Sequence, residues 1–129
     1  MNCDLHHVHL FASDLDASLR FYREMFGAKI LFDETVAGVR NVMIKIGTGR
    51  INFYDQQPRG TGPSAVHHLG IYTEDIYGVV SHMEAKGFKF RSPVRDFGEL
   101  KYIMLEGPDR VLIEIFENKA YWHNQEGPV

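Results

Sequence analysis

Two histidine pairs and one glutamate carry the chemistry that this sequence can do. His6-His7 stands in the run His6-His7-Val8-His9-Leu10, which leads to Asp14-Leu15; 61 residues later His67-His68 stands in His67-His68-Leu69-Gly70-Ile71, which leads to Asp75-Ile76. Each copy sets a histidine pair in an alternating apolar run just ahead of a helix-start signal, so the two halves read as one supersecondary unit built twice. Glu114 is the other anomaly. It is flanked by Leu112, Ile113, Ile115 and Phe116, and a carboxylate on a core-facing strand is costly unless it meets a cation. Asn52, within Ile51-Asn52-Phe53, holds the equivalent place in the first half.

If the two units pair about a pseudo-twofold axis, the inward positions of their first and last strands share a cavity, where His7, His68, Asn52 and Glu114 meet. Two imidazoles and one carboxylate make the facial triad that holds non-haem iron, and the same set suits manganese, nickel, cobalt or zinc with open positions. The expectation is one divalent metal ion on His7, His68 and Glu114. Asn52 would add a weak carbonyl ligand, orient a water, or do neither. A one-residue slip in strand parity would turn His6 and His67 inward instead. Glu114 on a solvent-facing edge strand would simply pair with Lys101 or Arg110.

The elements that must position these groups follow from period and punctuation. Residues 4–12 alternate as a strand, with Leu5, His7, His9 and Phe11 on one face and His6, Val8 and Leu10 on the other. Ser13 or Asp14 then caps a helix through Leu15, Leu19, Tyr22 and Phe26, and Gly27 ends it. Strands are expected over 29–36, 40–46 and 50–55, separated by Gly38 and by Gly47-Thr48-Gly49. Residues 56–64, with Pro58, Gly60, Gly62 and Pro63, have linker composition. The order then repeats: a strand over 65–73, a helix capped by Asp75 running through Ile76, Val79, Val80 and Met83 to Gly87, and strands over 88–92, 101–105 and 111–117. The layout is thus one domain over 1–129, made of module one at about 4–55, a linker at about 56–64, module two at about 65–117 and a tail over 118–129.

Composition narrows the class. A chain of 129 residues, 44% hydrophobic, can bury a core without staples. The single cysteine, Cys3, permits no internal disulfide, and the start Met1-Asn2-Cys3-Asp4 has no signal-peptide character, so a cytoplasmic location is expected. No apolar run reaches the roughly 18 residues that span a bilayer. A formal net charge of -3 leaves no electrostatic footprint for nucleic acid. The expected partner is a small molecule.

In order and spacing the pattern resembles the vicinal oxygen chelate superfamily, the group of glyoxalase I, extradiol dioxygenases, fosfomycin-modifying enzymes and bleomycin-binding proteins. The matching residues are His7 through Asp14-Leu15, Ser18, Phe21-Tyr22 and Gly27, then His68 through Asp75-Ile76 and Gly87, then Gly107-Pro108-Asp109 leading to Ile113-Glu114. The resemblance covers nearly the whole chain. It implies an α+β fold of two βαβββ modules forming a curved, incomplete barrel around one divalent metal, often in a homodimer.

Within that group the residues diverge. Glyoxalase I places a second glutamate where Asn52 stands, and an amide has no protonation change near neutral pH, so Asn52 cannot be a base. The aromatic-rich stretch of the fosfomycin-modifying enzymes reads here as Tyr102-Ile103-Met104-Leu105-Glu106-Gly107-Pro108-Asp109-Arg110. The resemblance therefore implies a metal-dependent lyase or isomerase of glyoxalase type, or addition chemistry, with the ion as Lewis acid on a small vicinally oxygenated substrate. The alternatives are an iron(II) ring-cleaving dioxygenase, with His9, His67, Tyr54 or Tyr102 assisting, and a metal-free antibiotic-binding protein. Candidate bases are His9 and Tyr54, with Asp96 and Glu99 behind them. Arg40, Arg59, Arg95 and Lys101 are candidates for an anionic substrate tail, and Tyr121, Trp122 and His123 for capping the cavity or packing on a second subunit.

Overall fold

Both halves fold as strand, helix and three strands, the order that the repeat predicts. The computed structural model describes residues 2, 5–58 and 66–118. The chain divides into two compact units, residues 1–63 and 64–129, so the division falls inside the proline- and glycine-rich linker. Module one runs β1 (Val8–Phe11), α1 (Leu15–Phe26), β2 (Lys29–Val36), β3 (Val39–Ile46) and β4 (Gly49–Tyr54). Module two runs β5 (Leu69–Tyr72), α2 (Ile76–Ala85), β6 (Arg95–Asp96), β7 (Leu100–Glu106), a 3-10 turn (Pro108–Arg110) and β8 (Leu112–Asn118). The two sheets have the same topology, β1-β4-β3-β2 and β5-β8-β7-β6. In each, the first strand lies parallel to the last and the other pairs are antiparallel. The α+β class with two βαβββ modules is what the structure shows.

The helices start and stop for local reasons. Asp14 caps α1, its side chain accepting from the Ala17 N–H at 3.1 Å, and Asp75 caps α2 by accepting from the Gly78 N–H at 3.0 Å. Gly27 closes α1 in the left-handed conformation, φ 67°, which costs a residue without Cβ nothing. The buried stripe of α1, Leu15, Ser18, Leu19 and Tyr22, packs on its own sheet, where the Tyr22 and Phe53 rings lie 5.6 Å apart. Val42, Ile44, Ile51 and Phe53 form the matching sheet face, and Ile103, Leu105, Ile113 and Ile115 do the same in module two. Because strands alternate, the residues between these face away from the helix, on what we call the open face of each sheet. That face carries Asn52 and Tyr54 in module one and Glu114 and Phe116 in module two.

One expected strand is displaced. Residues 88–92 are not a strand; the edge strand is the two-residue β6, Arg95–Asp96, paired with Tyr102 and Lys101. The alternation of Phe88 and Phe90 has another cause. The Phe88 N–H donates back to the Met83 carbonyl at 3.0 Å, and Phe90 lines a crevice with Tyr77, Val80 and Glu84 of α2. Pro93 then lacks the N–H that a ladder would need.

Candidate metal centre

In module two the register sets Glu114 beside a vacancy. Glu114 is opposite Met104 on one side and Gly70 on the other. A Cβ added at Gly70 would meet only Phe116 Cε1, at 3.5 Å, so nothing of the strand's own covers the carboxylate from that side. His68, two residues before Gly70, projects to the same face. Its Nε2 stands 3.7 Å from Glu114 Oε1, with the side chains 34% and 28% exposed. The other ring nitrogen is engaged, because His68 Nδ1 lies 2.8 Å from His67 Nδ1 and one ring must donate while the other accepts. A histidine tied at Nδ1, with Nε2 turned to a carboxylate, is oriented as metal-binding imidazoles are. Two ligand atoms each about 2.1 Å from one ion are roughly 3.0–3.4 Å apart, so at 3.7 Å the His68–Glu114 pair stands somewhat wider than a shared cation would hold it. The edge-strand reading of Glu114 does not hold: β8 lies between β5 and β7, Lys101 pairs with Glu117 at 3.1 Å, and Arg110 reaches Glu106 at 3.9 Å.

Module one repeats this arrangement with different side chains. His7 immediately precedes β1, and its Nδ1 lies 2.9 Å from His6 Nδ1, as in the other copy. His9 takes the place of Gly70 and is opposite Asn52. Its ring lies over Tyr54, centroids 3.7 Å apart, and 6.2 Å from the ring of His7. Burial, and secondarily the neighbouring His7, hold the His9 pKa below the ordinary imidazole value, which favours the neutral ring that can accept a proton. Asn52 Oδ1 is buried and has no hydrogen-bond partner among the described residues, a cost unless a donor arrives from outside the chain.

The structure thus joins His68 with Glu114 and sets His7, His9, Asn52 and Tyr54 on one sheet face. Within neither module do three or more His, Cys, Asp or Glu side chains gather into a metal-binding group, among the described residues. Asp96 accepts from Tyr77 Oη and from the Gly98 N–H, each at 2.8 Å, and these bonds, the backbone one first, hold its pKa below the usual carboxylate value. These bonds tie Asp96 to α2 and to the turn at Gly98. Of the candidate cations, Lys101 is turned to the helix side by Glu117, and Arg40 is spent on Asp33 and Asp16 at 2.8 and 2.9 Å. Arg95 is opposite Tyr102 on the open face, and Glu99 is exposed. Arg59, Tyr121, Trp122 and His123 lie outside the described residues. The roles of His6 and His67 as Nδ1 partners went unassigned in the sequence, although the doubling of each histidine was the signal for them.

With this geometry, the comparisons place the chain. Residues 4–115 match the family described as the Glyoxalase/Bleomycin resistance protein/Dioxygenase superfamily. The chain belongs to that superfamily. It is similar to a glyoxalase family protein from Enterococcus faecalis, 27% identical, with TM-score 0.73 over 90% of this chain and 98% of that one. It is also similar to the fosfomycin resistance protein FosX from Listeria monocytogenes, in an E126Q mutant complexed with Mn(II) and 1S,2S-dihydroxypropylphosphonic acid, at 18% identity and TM-score 0.75 over 97% and 99% of the two chains. An E144Q mutant of glyoxalase I from Zea mays matches at 22% identity and TM-score 0.69, over 85% of this chain and 43% of that one. No curated protein matches the sequence. Among the described residues no helix is long and apolar enough to cross a membrane.

Proposed function

We propose that this chain is a divalent-metal-dependent enzyme of glyoxalase type that acts on a small substrate with two neighbouring oxygens, in lyase, isomerase or addition chemistry. His7, His68 and Glu114 would hold the ion. The observation that carries this reading is the pair His68 Nε2 and Glu114 Oε1, about a third exposed and 3.7 Å apart beside the side-chain-free position of Gly70. A bound divalent ion supplies Lewis-acid polarisation of the two oxygens. The chain's own residues do the rest. His67 and His6 hold the ligand imidazoles by their Nδ1 atoms. Asn52 Oδ1, buried and unpaired, accepts a hydrogen bond from a substrate hydroxyl or a water. Asn52 has no proton to exchange, so the base is His9, whose depressed pKa keeps it neutral and whose ring is fixed against Tyr54. FosX, which shares the fold, is complexed with Mn(II) and 1S,2S-dihydroxypropylphosphonic acid, a small molecule with neighbouring oxygens of the kind proposed here.

Elemental analysis tests the reading. Chain purified and reconstituted in turn with iron, manganese, nickel, cobalt and zinc is expected to retain one equivalent of at least one of them, and His68→Ala and Glu114→Ala are expected to retain little. Retention of the metal by both variants overturns the ligand assignment, and no retention by the unaltered chain overturns the metal reading and favours a metal-free binding protein.

A further inference from the structure

The open face of module one carries an arrangement that neither fold nor metal explains. In the register of its sheet Lys29 is opposite Lys45, and Lys45 is opposite Arg50. Directly opposed residues share a face, so three cations stand in one row across β2, β3 and β4, spaced by the strand separation of about 4.8 Å. The row leads to His7, which precedes Val8, the partner of Ile51, and therefore falls beside Arg50. Like charges directly opposed in a sheet destabilise it. Nothing among the described residues relieves this. The ion pairs of module one consume Asp16 and Asp33 on Arg40, and none among the described residues involves Lys29, Lys45 or Arg50. The adjacent row of the same face, His9, Asn52, Met43 and Phe32, contains no acid; Glu34 is a further row away, opposite Asn41. Acidic residues outnumber basic ones, 17 to 14, so their absence here is not for want of supply.

We infer that the row Arg50, Lys45 and Lys29 is an anion site that receives the negatively charged end of the substrate, a phosphate, phosphonate or carboxylate group. Arg50 offers the planar fork that matches an oxyanion, and the two lysines add point charge behind it. The position of Arg50 directs the chelating end of such a molecule to His7, and to that extent the inference rests on the metal reading proposed above. The anion itself needs no metal, which separates the two tests.

The experiment is calorimetric titration of inorganic phosphate, methylphosphonate and acetate into the full chain after treatment with chelator, at low salt. Binding of at least one of the three is expected, weakened about tenfold or more by Arg50→Gln and by Lys45→Gln, the equivalent of losing one charge-assisted contact. The same charge change at the exposed Lys89, as Lys89→Gln, is expected to leave the affinity unchanged, and added sodium chloride should weaken it by screening. Lys45→Gln and Lys29→Gln should also melt no lower than the unaltered chain, because each removes a like-charge contact. Equal affinities in the Arg50, Lys45 and Lys89 variants, or no binding of any of the three anions, overturns the site. Metal uptake without anion binding would sink this inference alone, and anion binding without metal uptake would sink only the metal reading.

Discussion

Glu114→Gln separates a metal ligand from an ordinary surface carboxylate, because the two roles have different energetic signatures. Without metal, Glu114 has one ion-pair-range contact among the described residues, His68 Nε2 at 3.7 Å, with both side chains about a third exposed. Such a pair is worth about 0–1 kcal/mol. For a chain of this size 1 kcal/mol moves the melting temperature by about 3–5 °C, so the metal-free variant should melt within that margin of the unaltered chain. Metal binding acts on a different scale. An ion at 100 times its dissociation constant stabilises the folded state by about 2.7 kcal/mol, which corresponds to a rise of about 8–13 °C. Glutamine keeps the shape and a weak carbonyl donor but removes the charge, so most of that rise should vanish in the variant. The assay is thermal melting of chelator-treated protein against a series of divalent ions, with the unaltered chain and Glu114→Gln in parallel. A metal-dependent rise of equal size in both refutes the reasoning, and so does the absence of any rise in a chain that melts cooperatively. A large loss of stability in the metal-free variant would assign Glu114 to structure.

Four further outcomes follow from the same geometry. Asp14→Ala and Asp75→Ala each remove a helix cap and should cost about 1 kcal/mol in chemical denaturation. Gly78→Ala, ordinarily a gain of about 1 kcal/mol inside a helix, should give none here because a Cβ at Gly78 would press on the Asp75 carboxylate; in an Asp75→Ala background the gain should return. Lys101→Met should lower the melting temperature by about 10 °C, because it takes the cation away from the buried Glu117 carboxylate, 3.1 Å from Lys101 Nζ. The hydrogen bond to Glu117 raises the Lys101 pKa, so its contribution is complete below the ordinary lysine value and is lost as pH climbs through the raised one, which a denaturation series in alkali reads. Arg40→Gln should raise the Asp33 pKa in a carboxyl-detected titration: the Arg40 hydrogen bond depresses it, and the stability it lends is present above the ordinary carboxylate value and lost as pH falls through the lowered one.

The histidine pairs, the caps at Asp14 and Asp75, and the repeat of strand, helix and three strands were legible because each is written within a few residues: a cap acts across three positions, and a strand declares itself by a period of two. Residues 88–92 deceived for the same reason. Their alternation is genuine, but Phe88 and Phe90 serve the end of α2, and only the long-range pairing of β7 decides that Arg95–Asp96 is the edge. The row of Lys29, Lys45 and Arg50 was invisible, since each alone looks like a solvated surface cation and only the register lines them up.

The register also shows where the two copies parted. Equivalent positions hold His9 opposite Asn52 in one and Gly70 opposite Glu114 in the other. The first copy fills the space above its strand with an imidazole and keeps only an uncharged acceptor there. The second empties that space and puts the Glu114 carboxylate beside it. Divergence at this pair, in a sheet whose topology did not diverge, puts a carboxylate in module two and an uncharged amide in module one. A substrate chelated at one end and anionic at the other, as proposed above, would use the carboxylate through a cation and the Arg50 row through its anion.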